Sequence, residues 1–487
     1  MRPPMLDLFY LTFNAGKNLI SVPVFANHLH NAFGQNATTL PELVLISLQE
    51  MAPLSSAFIG SYWLSPYFSR YESALNLAAA KFIAEEERQH RPKDKAYTLV
   101  KMCNVGMTGI MLFARDKNAL HNIKSAEVGF GAGDMANKGA VGLRMDFEKD
   151  GKETELTFVS THLAAMEWNL ERRNRNWESI VSGLVFVDPK QIMQSETSQH
   201  AENRPEENRP EDRPETDAQP LLAGFHPSTE KALHDISIYK PGSHLFVAGD
   251  LNYRLSKTSP PIDATFPGVD PDNEDFYPRF LARDQLTAEK KAGRTLHGLT
   301  EAEIHFPPTY KYIILPKGEP ETELSRIAAE EGDGEEIKWK FASHRWPGWC
   351  DRVLYADVPQ WVAGDHAIIP TAYNCLPVVR SSDHRAVFLR ALVPVLSPDE
   401  LAPAQDVIET ALREAESGVD GRKAIDPRIK PPFVVSVDSW EHRAAVKKWE
   451  RMVGWSMVIS KSKQGIMVFV TVLLVGLGAW WYGNVNS

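Results

Sequence analysis

Cysteine is scarce in this chain. Three residues (Cys103, Cys350, Cys375) in 487 cannot build a disulfide framework, and their spacing is not that of a zinc site, which points to a reducing compartment. An excess of positive charge is missing too. With 53 Lys and Arg against 63 Asp and Glu, the net charge of −10 excludes the global basic field of a nucleic-acid binder, so an anionic substrate must be met by local basic residues. The N-terminus, MRPPMLDLFY, lacks the apolar stretch of a signal peptide and reads as the start of a folded domain. What remains is ordinary globular composition, 43% hydrophobic and 24% charged, at a length that accommodates a large core.

Long uncharged apolar runs are also absent, with one exception. Gly465 to Tyr482 (GIMVFVTVLLVGLGAWWY) carries no charge. As a helix it would extend roughly 27 Å, close to the hydrocarbon thickness of a bilayer. Lys461 and Lys463 precede it and Trp480, Trp481 and Tyr482 close it, a basic flank and an aromatic belt. The expectation is a membrane anchor over 464–483, inserted after synthesis, in the endoplasmic reticulum because thin bilayers accept short spans. The remainder of the chain would then be cytosolic.

Residues 1–395 alternate apolar runs with turn signals. Strands are expected at Leu43–Leu48, Leu99–Cys103, Ile110–Ala114, Gly139–Asp146, Glu155–Ser160, Leu245–Ala248, Arg352–Tyr355 and Ala386–Leu389, and helices at Tyr71–His90 and Trp168–Leu184. Two polar stretches interrupt the pattern. Residues 191–220, with Asn-Arg-Pro-Glu at 203–206 and 208–211, read as a disordered insertion, and the acidic stretch 317–337 as a loop. Residues 396–463 read as a connector, with a helix near 399–416 and a second over Asp438–Met457. The second mixes Trp440, Trp449, Lys447, Lys448 and Arg451, suiting either an anionic membrane surface or a solvated helix.

The chemistry gathers where strands end. HLFVAGD delivers Asp250, with Asn252 two residues on, and the first strand ends in Thr12-Phe13-Asn14. Leu48-Gln49-Glu50 ends another, Ser160-Thr161-His162 a third; Trp349-Cys350-Asp351-Arg352 opens a late strand and Ser382-Asp383-His384 precedes the last. Each alone suits a cap, turn or ion pair. Together they supply what metal-assisted phosphate ester hydrolysis needs: hard oxygen ligands such as Glu50, a carboxylate base, and Asn and His donors to the phosphate.

These motifs, in this order, resemble the inositol polyphosphate 5-phosphatase family of the endonuclease/exonuclease/phosphatase superfamily. The resemblance covers about residues 5–395 and rests on FPPTYKY (306–312), WPGWCDRVLY (346–355) and SSDHRAVF (381–388), with NKGAVGLRM (137–145) and STHLAAM (160–166) in support. It implies a four-layered α/β sandwich of two packed mixed sheets flanked by helices. It also implies Mg2+ bound by Glu50 with Asn14 beside it. Asp250 would activate water, Asn252 would hold the water and the scissile phosphate, and His384 would donate to phosphate oxygens with Asp351 orienting its ring. Asp383 would position the metal-bound phosphate and His162 would be a further donor. Lys138, Tyr310, Lys311 and Arg352 are the substrate candidates, with a structural ion pair as the alternative for Arg352. Lys311 resembles the residue that recognises the phosphate beside the one removed, which implies phosphatidylinositol 4,5-bisphosphate as substrate. Ala136, Ser343 and Tyr355 depart from the family's usual Gly, Lys and Trp.

Overall fold

The computed structural model describes residues 3–87, 95–202, 227–316, 329–331, 335–417 and 425–463, with isolated positions beyond. Its framework is two sheets. The first contains β1 (Met5–Asn14), β2 (Leu43–Gln49), β3 (Thr98–Val105), β4 (Thr108–Ala114), β14 (Ile369–Cys375) and β15 (Val387–Pro394), in the order β14-β15-β1-β2-β4-β3. The second contains β5 (Leu120–Gly129), β6 (Gly139–Lys149), β7 (Lys152–His162), β8 (Ser243–Asp250) and β13 (Asp351–Tyr355), in the order β13-β8-β7-β6-β5. Two short pairs join Tyr312–Ile314 (β9) to Trp339–Phe341 (β12) and Ala329–Glu331 (β10) to Glu335–Ile337 (β11). The last of these lies within the expected acidic loop, so that stretch forms a small hairpin at its end.

Both faces of the first sheet are covered. Along β1, Leu8 and Tyr10 point into the core between the sheets, while Phe9, Leu11 and Phe13 point into the core beneath α1 (Val22–Phe33) and α3 (Ser65–Glu87). A two-sided strand reads as a continuous apolar run, and LFYL (8–11) within LDLFYLTF is such a run. Beyond the second sheet, Val159 and Val247 pack with Trp177, Ile180 and Val181 of α4 (Leu170–Gly183). The result is the expected α/β sandwich, two mixed sheets with helices on their outer faces.

The helices α2 (Leu54–Ile59), α5 (Pro189–Glu202), α6 (Pro227–Ile236), α7 (Pro278–Leu281), α8 (Gln285–Lys291), α9 (Pro398–Leu401), α10 (Gln405–Ser417) and α11 (Ser439–Lys461) complete the fold. Three expectations change. Residues 191–202 continue α5 rather than opening a disordered insertion, and the rest of that stretch to 220 lies outside the described residues. The helix expected near 399–416 divides into α9 and α10 at Pro403, which has no amide hydrogen to donate and biases Ala402 away from helix. The stretch expected as a connector is packed on the domain: Val435 is buried with Val185, Leu233 and Ile236, and Ser436 N donates to Ser182 O at 2.8 Å. Among the described residues no helix is long and apolar enough to cross a membrane, and many positions of the expected anchor over 464–483 lie outside them.

Candidate active site

Topology explains why distant motifs meet. β1 and β2 run parallel with Asn14 opposite Gln49, so Asn14 and Glu50 leave the sheet at the same rim. β7 and β8 run parallel with His162 opposite Asp250. β13 is antiparallel to β8 and places Asp351 opposite Asp250 as it begins. β15 is antiparallel to β1, so the residues just before Val387 reach the same edge. Between the sheets a buried polar seam supports this rim. Thr12 Oγ1 donates to Gln49 Oε1 at 3.2 Å, Gln49 Nε2 donates to Ser47 Oγ at 2.8 Å, and Ser160 Oγ donates to Gly109 O at 2.9 Å.

Asp250 is the hub. Its Oδ2 accepts from Asn14 Nδ2 at 2.9 Å and lies 3.2 Å from His162 Nε2 and 3.9 Å from His384 Nε2. Burial pushes its carboxyl up, but His162, His384 and Lys138 outweigh burial and hold it well below the usual carboxylate range. It is therefore an anion at working pH. On the far side, His384 Nδ1 meets Asp351 Oδ2 at 2.9 Å, and Thr309 Oγ1 donates to the same oxygen at 2.7 Å. Burial alone would discharge His384. Asp351, followed by Asp250 and Asp383, reverses that and raises the imidazole to about 9, while burial lifts Asp351 to about 6. Near neutrality the proton thus resides on His384, whose Nε2 faces Asp250. The three groups Asp250, Asp351 and His384 lie close enough to suggest a metal cluster, their ligating atoms all within 4.8 Å. The Asp351–His384 hydrogen bond instead marks an oriented, protonated imidazole.

Glu50 stands across the rim, 2.9 Å from Lys17 Nζ and 4.0 Å from Lys138 Nζ. Burial raises its carboxyl, yet His162, Lys17 and Lys138 together hold it below its ordinary value. Glu50, Lys17 and Asn252 all have left-handed backbones, with φ of 43°, 68° and 57°. Such conformations are uncommon outside glycine and cluster at functional sites. At this shared rim Glu50 offers an anionic carboxylate and Asn14 an amide oxygen, which accepts from Gly16 N at 3.1 Å; hard oxygen donors of this kind suit Mg2+, so the two residues fit the expected metal by chemistry.

Around this centre lie further polar groups. Lys311 Nζ donates to Asp383 Oδ2 at 2.7 Å, and both are partly exposed. The Tyr310 ring lies 4.4 Å from that of His384, with the Arg254 guanidinium 4.4 Å from its own centroid. Lys138 lies against His162, 3.3 Å from Nδ1, and burial lowers its ammonium to about 8. Asn252 Nδ2 donates to Leu163 O at 3.1 Å, its Oδ1 accepts from Arg254, and its N donates to Asp250 Oδ1 at 3.1 Å.

His162, expected as a further donor to the phosphate, is buried with Nε2 3.2 Å from Asp250 Oδ2 and its ring against Lys138, so it stands within the same cluster. Arg352 was a substrate candidate, but side chains alternate along a strand, and one residue after Asp351 it points to the opposite face. There its guanidinium, 1% exposed, is clamped by Glu301 at 2.6 Å and Asp284 at 3.0 Å. Arg352→Met should cost roughly 3–5 kcal/mol of stability by stranding the buried Asp284 carboxylate and weakening the hold on the part-buried Glu301, with KM changed by less than about twofold. A Tm measured beside KM checks this, and a large rise in KM at unchanged Tm would restore the substrate role. Arg254, Lys17 and Thr309 were not singled out from sequence. Arg254 falls inside GDLNYRL and Thr309 inside FPPTYKY, so both carried a signal; Lys17 carried none.

An acidic hub, an oriented imidazolium, a hard-oxygen cation corner and basic residues at one sheet rim define a phosphoester-cleaving class of site. Residues 11–390 match the family described as Endonuclease/Exonuclease/phosphatase family 2, and the chain belongs to it. Over 353 residues it is 25% identical to the polyphosphatidylinositol phosphatase INP53 of Saccharomyces cerevisiae, covering 72% of this chain and 23% of that protein. Over 286 residues it is 26% identical to inositol-1,4,5-trisphosphate 5-phosphatase 1 of Schizosaccharomyces pombe, covering 58% of this chain and 18% of that protein. The chain thus spans about a fifth of the length of these curated relatives. Among solved structures it is similar to the inositol polyphosphate 5-phosphatase domain of SPsynaptojanin in complex with inositol (1,4)-bisphosphate and calcium ion. That similarity has a TM-score of 0.49 at 20% identity and covers 85% of this chain and 93% of that one.

Proposed function

We propose that this protein is a Mg2+-dependent phosphoinositide 5-phosphatase that removes the 5-phosphate of phosphatidylinositol 4,5-bisphosphate, and of other 5-phosphorylated inositides, at a cytosolic membrane face. The observation that carries the reading is Asp250, an anion wedged between Asn14, His162 and the His384–Asp351 pair at an open rim. Bound at Glu50 and Asn14, Mg2+ would neutralise charge on the phosphate oxygens. Asp250 accepts the proton of the attacking water, with Asn14 and His162 fixing its carboxylate; as the new phosphorus–oxygen bond forms, the bond to the inositol 5-oxygen breaks and that oxygen takes a proton from solvent to leave as the alcohol. His384, charged through Asp351, donates from Nε2 to a phosphate oxygen. The names of the relatives, polyphosphatidylinositol phosphatase and inositol-1,4,5-trisphosphate 5-phosphatase, support this substrate class. Phosphate release from a lipid panel with Mg2+, then with chelator, tests it; release that persists in chelator would overturn the metal dependence.

Lys311 is the residue proposed to meet the neighbouring 4-phosphate, because its ammonium is partly exposed and already turned to an anion, Asp383. A charge-assisted hydrogen bond is worth about 1.5–3 kcal/mol, so Lys311→Ala should lower kcat/KM about 10- to 100-fold on a 4,5-bisphosphate. Phosphatidylinositol 5-phosphate should be nearly unaffected; equal losses on both lipids would remove Lys311 from headgroup recognition.

The same reading holds the protein at its lipid through the uncharged segment 464–483, with the endoplasmic reticulum as the proposed membrane. Exposed Trp449, Met452, Trp455 and Ile459 on α11 support an apolar approach to a bilayer just ahead of that segment. Fractionation of the protein with and without 464–487 tests the anchor, and an unchanged membrane fraction would dismiss it.

A further inference from the structure

Helix α11 belongs to the segment expected to connect the domain to a membrane, yet it reaches two loops of the active site. Its buried stripe is Arg443, Val446, Glu450 and Gly454, at three- and four-residue spacing. Gly454 lies against α2, where an added Cβ would come within 3.0 Å of Phe58 and Ile59 and 3.1 Å of Ser55 O. The Trp455 ring packs edge-on to Trp63 at 5.9 Å, and His442 Nε2 lies 3.0 Å from Asp134 Oδ2. Midway along the stripe, Glu450 is 3% exposed. Its Oε1 accepts from the backbone N of Ala136 at 2.6 Å, and both oxygens are held by Arg443 at 2.8 and 2.6 Å. Arg443 in turn reaches Glu127 of β5 at 3.2 Å.

From Ala136 the contact continues through the backbone. Ala136 O accepts from Met107 N at 3.3 Å, and Met107 O accepts from Met51 N at 3.2 Å. Gly106, at φ 49°, allows this approach, since a Cβ there would collide with Ala136 O at 1.7 Å. Met51 is the residue after Glu50. Ala136 is two residues before Lys138, whose ammonium faces both Glu50 and His162. A single carboxylate outside the catalytic motifs therefore ties together the loops that deliver Glu50 and Lys138.

We infer that Glu450 is a positioning residue of the active site, fixing the 131–138 loop, and through it the Lys138–Glu50 corner, to helix α11. Its kinetic arm rests on the phosphatase reading; its structural arm does not. The test uses the full chain and compares wild type, Glu450→Ala, Glu450→Gln, Lys138→Met and the Lys138→Met/Glu450→Ala double variant. In Glu450→Ala, Arg443 keeps Glu127, so the helix is not left with an unpaired buried guanidinium.

By hydrogen–deuterium exchange, Glu450→Ala should speed exchange at residues 131–138, Met107 and Met51 about tenfold or more while β15 stays protected. Glu450→Gln, whose amide oxygen still accepts from Ala136 N, should restore most of that protection. With inositol 1,4,5-trisphosphate and Mg2+, Glu450→Ala should lower kcat/KM about tenfold, a size expected for a small misplacement near reacting groups. In the Lys138→Met background the same change should have a clearly smaller effect, because its route through Lys138 is already removed and only the Met107–Met51 route to Glu50 remains. Unchanged exchange at 131–138 overturns the inference, as does a full tenfold loss in the double variant. If wild type releases no phosphate, the functional reading fails, and exchange alone still decides whether Glu450 holds the loop.

Discussion

Asp250→Asn is expected to lower kcat/KM for phosphate release by about 10^3-fold while leaving the folded domain intact. The substitution keeps shape and the hydrogen bond from Asn14 Nδ2 to the retained oxygen, but it removes the anion that His162, His384 and Lys138 surround. Asparagine has no basic site for the proton of water, and with its oxygen kept at the Oδ2 position its amide hydrogens would face the backbone N of Asn252, where an acceptor is required. Loss should appear in kcat more than in KM, since Asp250 is buried beneath the rim and Lys138 and Lys311, proposed to meet the substrate, are untouched. The check is steady-state phosphate release beside a thermal melt. Activity within about threefold of wild type would remove Asp250 from the proton-accepting role.

His384→Ala should cost about 10^2- to 10^3-fold in kcat, the loss typical of a single preorganised donor to developing negative charge. The pH dependence separates this role from packing. His384 is raised to about 9 by Asp351, so it is charged below that pH and discharged above it. Activity that needs the imidazolium therefore falls as pH rises through about 9. Asp351→Asn removes the strongest group that raises the imidazole and leaves burial, which lowers it. The alkaline limb should then move toward acid by at least about one pH unit, with kcat falling near neutrality. A limb that stays in place in Asp351→Asn, measured as kcat/KM across pH 6–10, would assign it to another group.

Much of the active site was legible in sequence because its chemistry sits at strand ends. Asn14, Glu50, His162, Asp250 and Asp351 each follow or open an apolar run, and such runs are the strongest local signal of a strand. Edge strands were harder. Of β5 and β14, which the sequence reading missed, β5 has only three buried residues of ten with an irregular register and β14 has only one buried residue, so neither shows the apolar run of a central strand. α11 was recognised as a helix, but its amphipathic stripe did not say what it would cover.

The sequence by itself determined the inventory of polar residues at strand ends and the alternation of apolar runs that builds two sheets. Those follow from local periodicity and residue chemistry, which do not depend on distant partners. Only the tertiary structure decided which way each polar group points and what it meets. It turned Arg352 away from the site, because neighbouring strand residues face opposite sides. It set His162 behind Asp250 and brought Glu450 to the Ala136 amide across 314 positions of chain. Contacts at that separation arise from packing one element on another, and no window of sequence contains both partners.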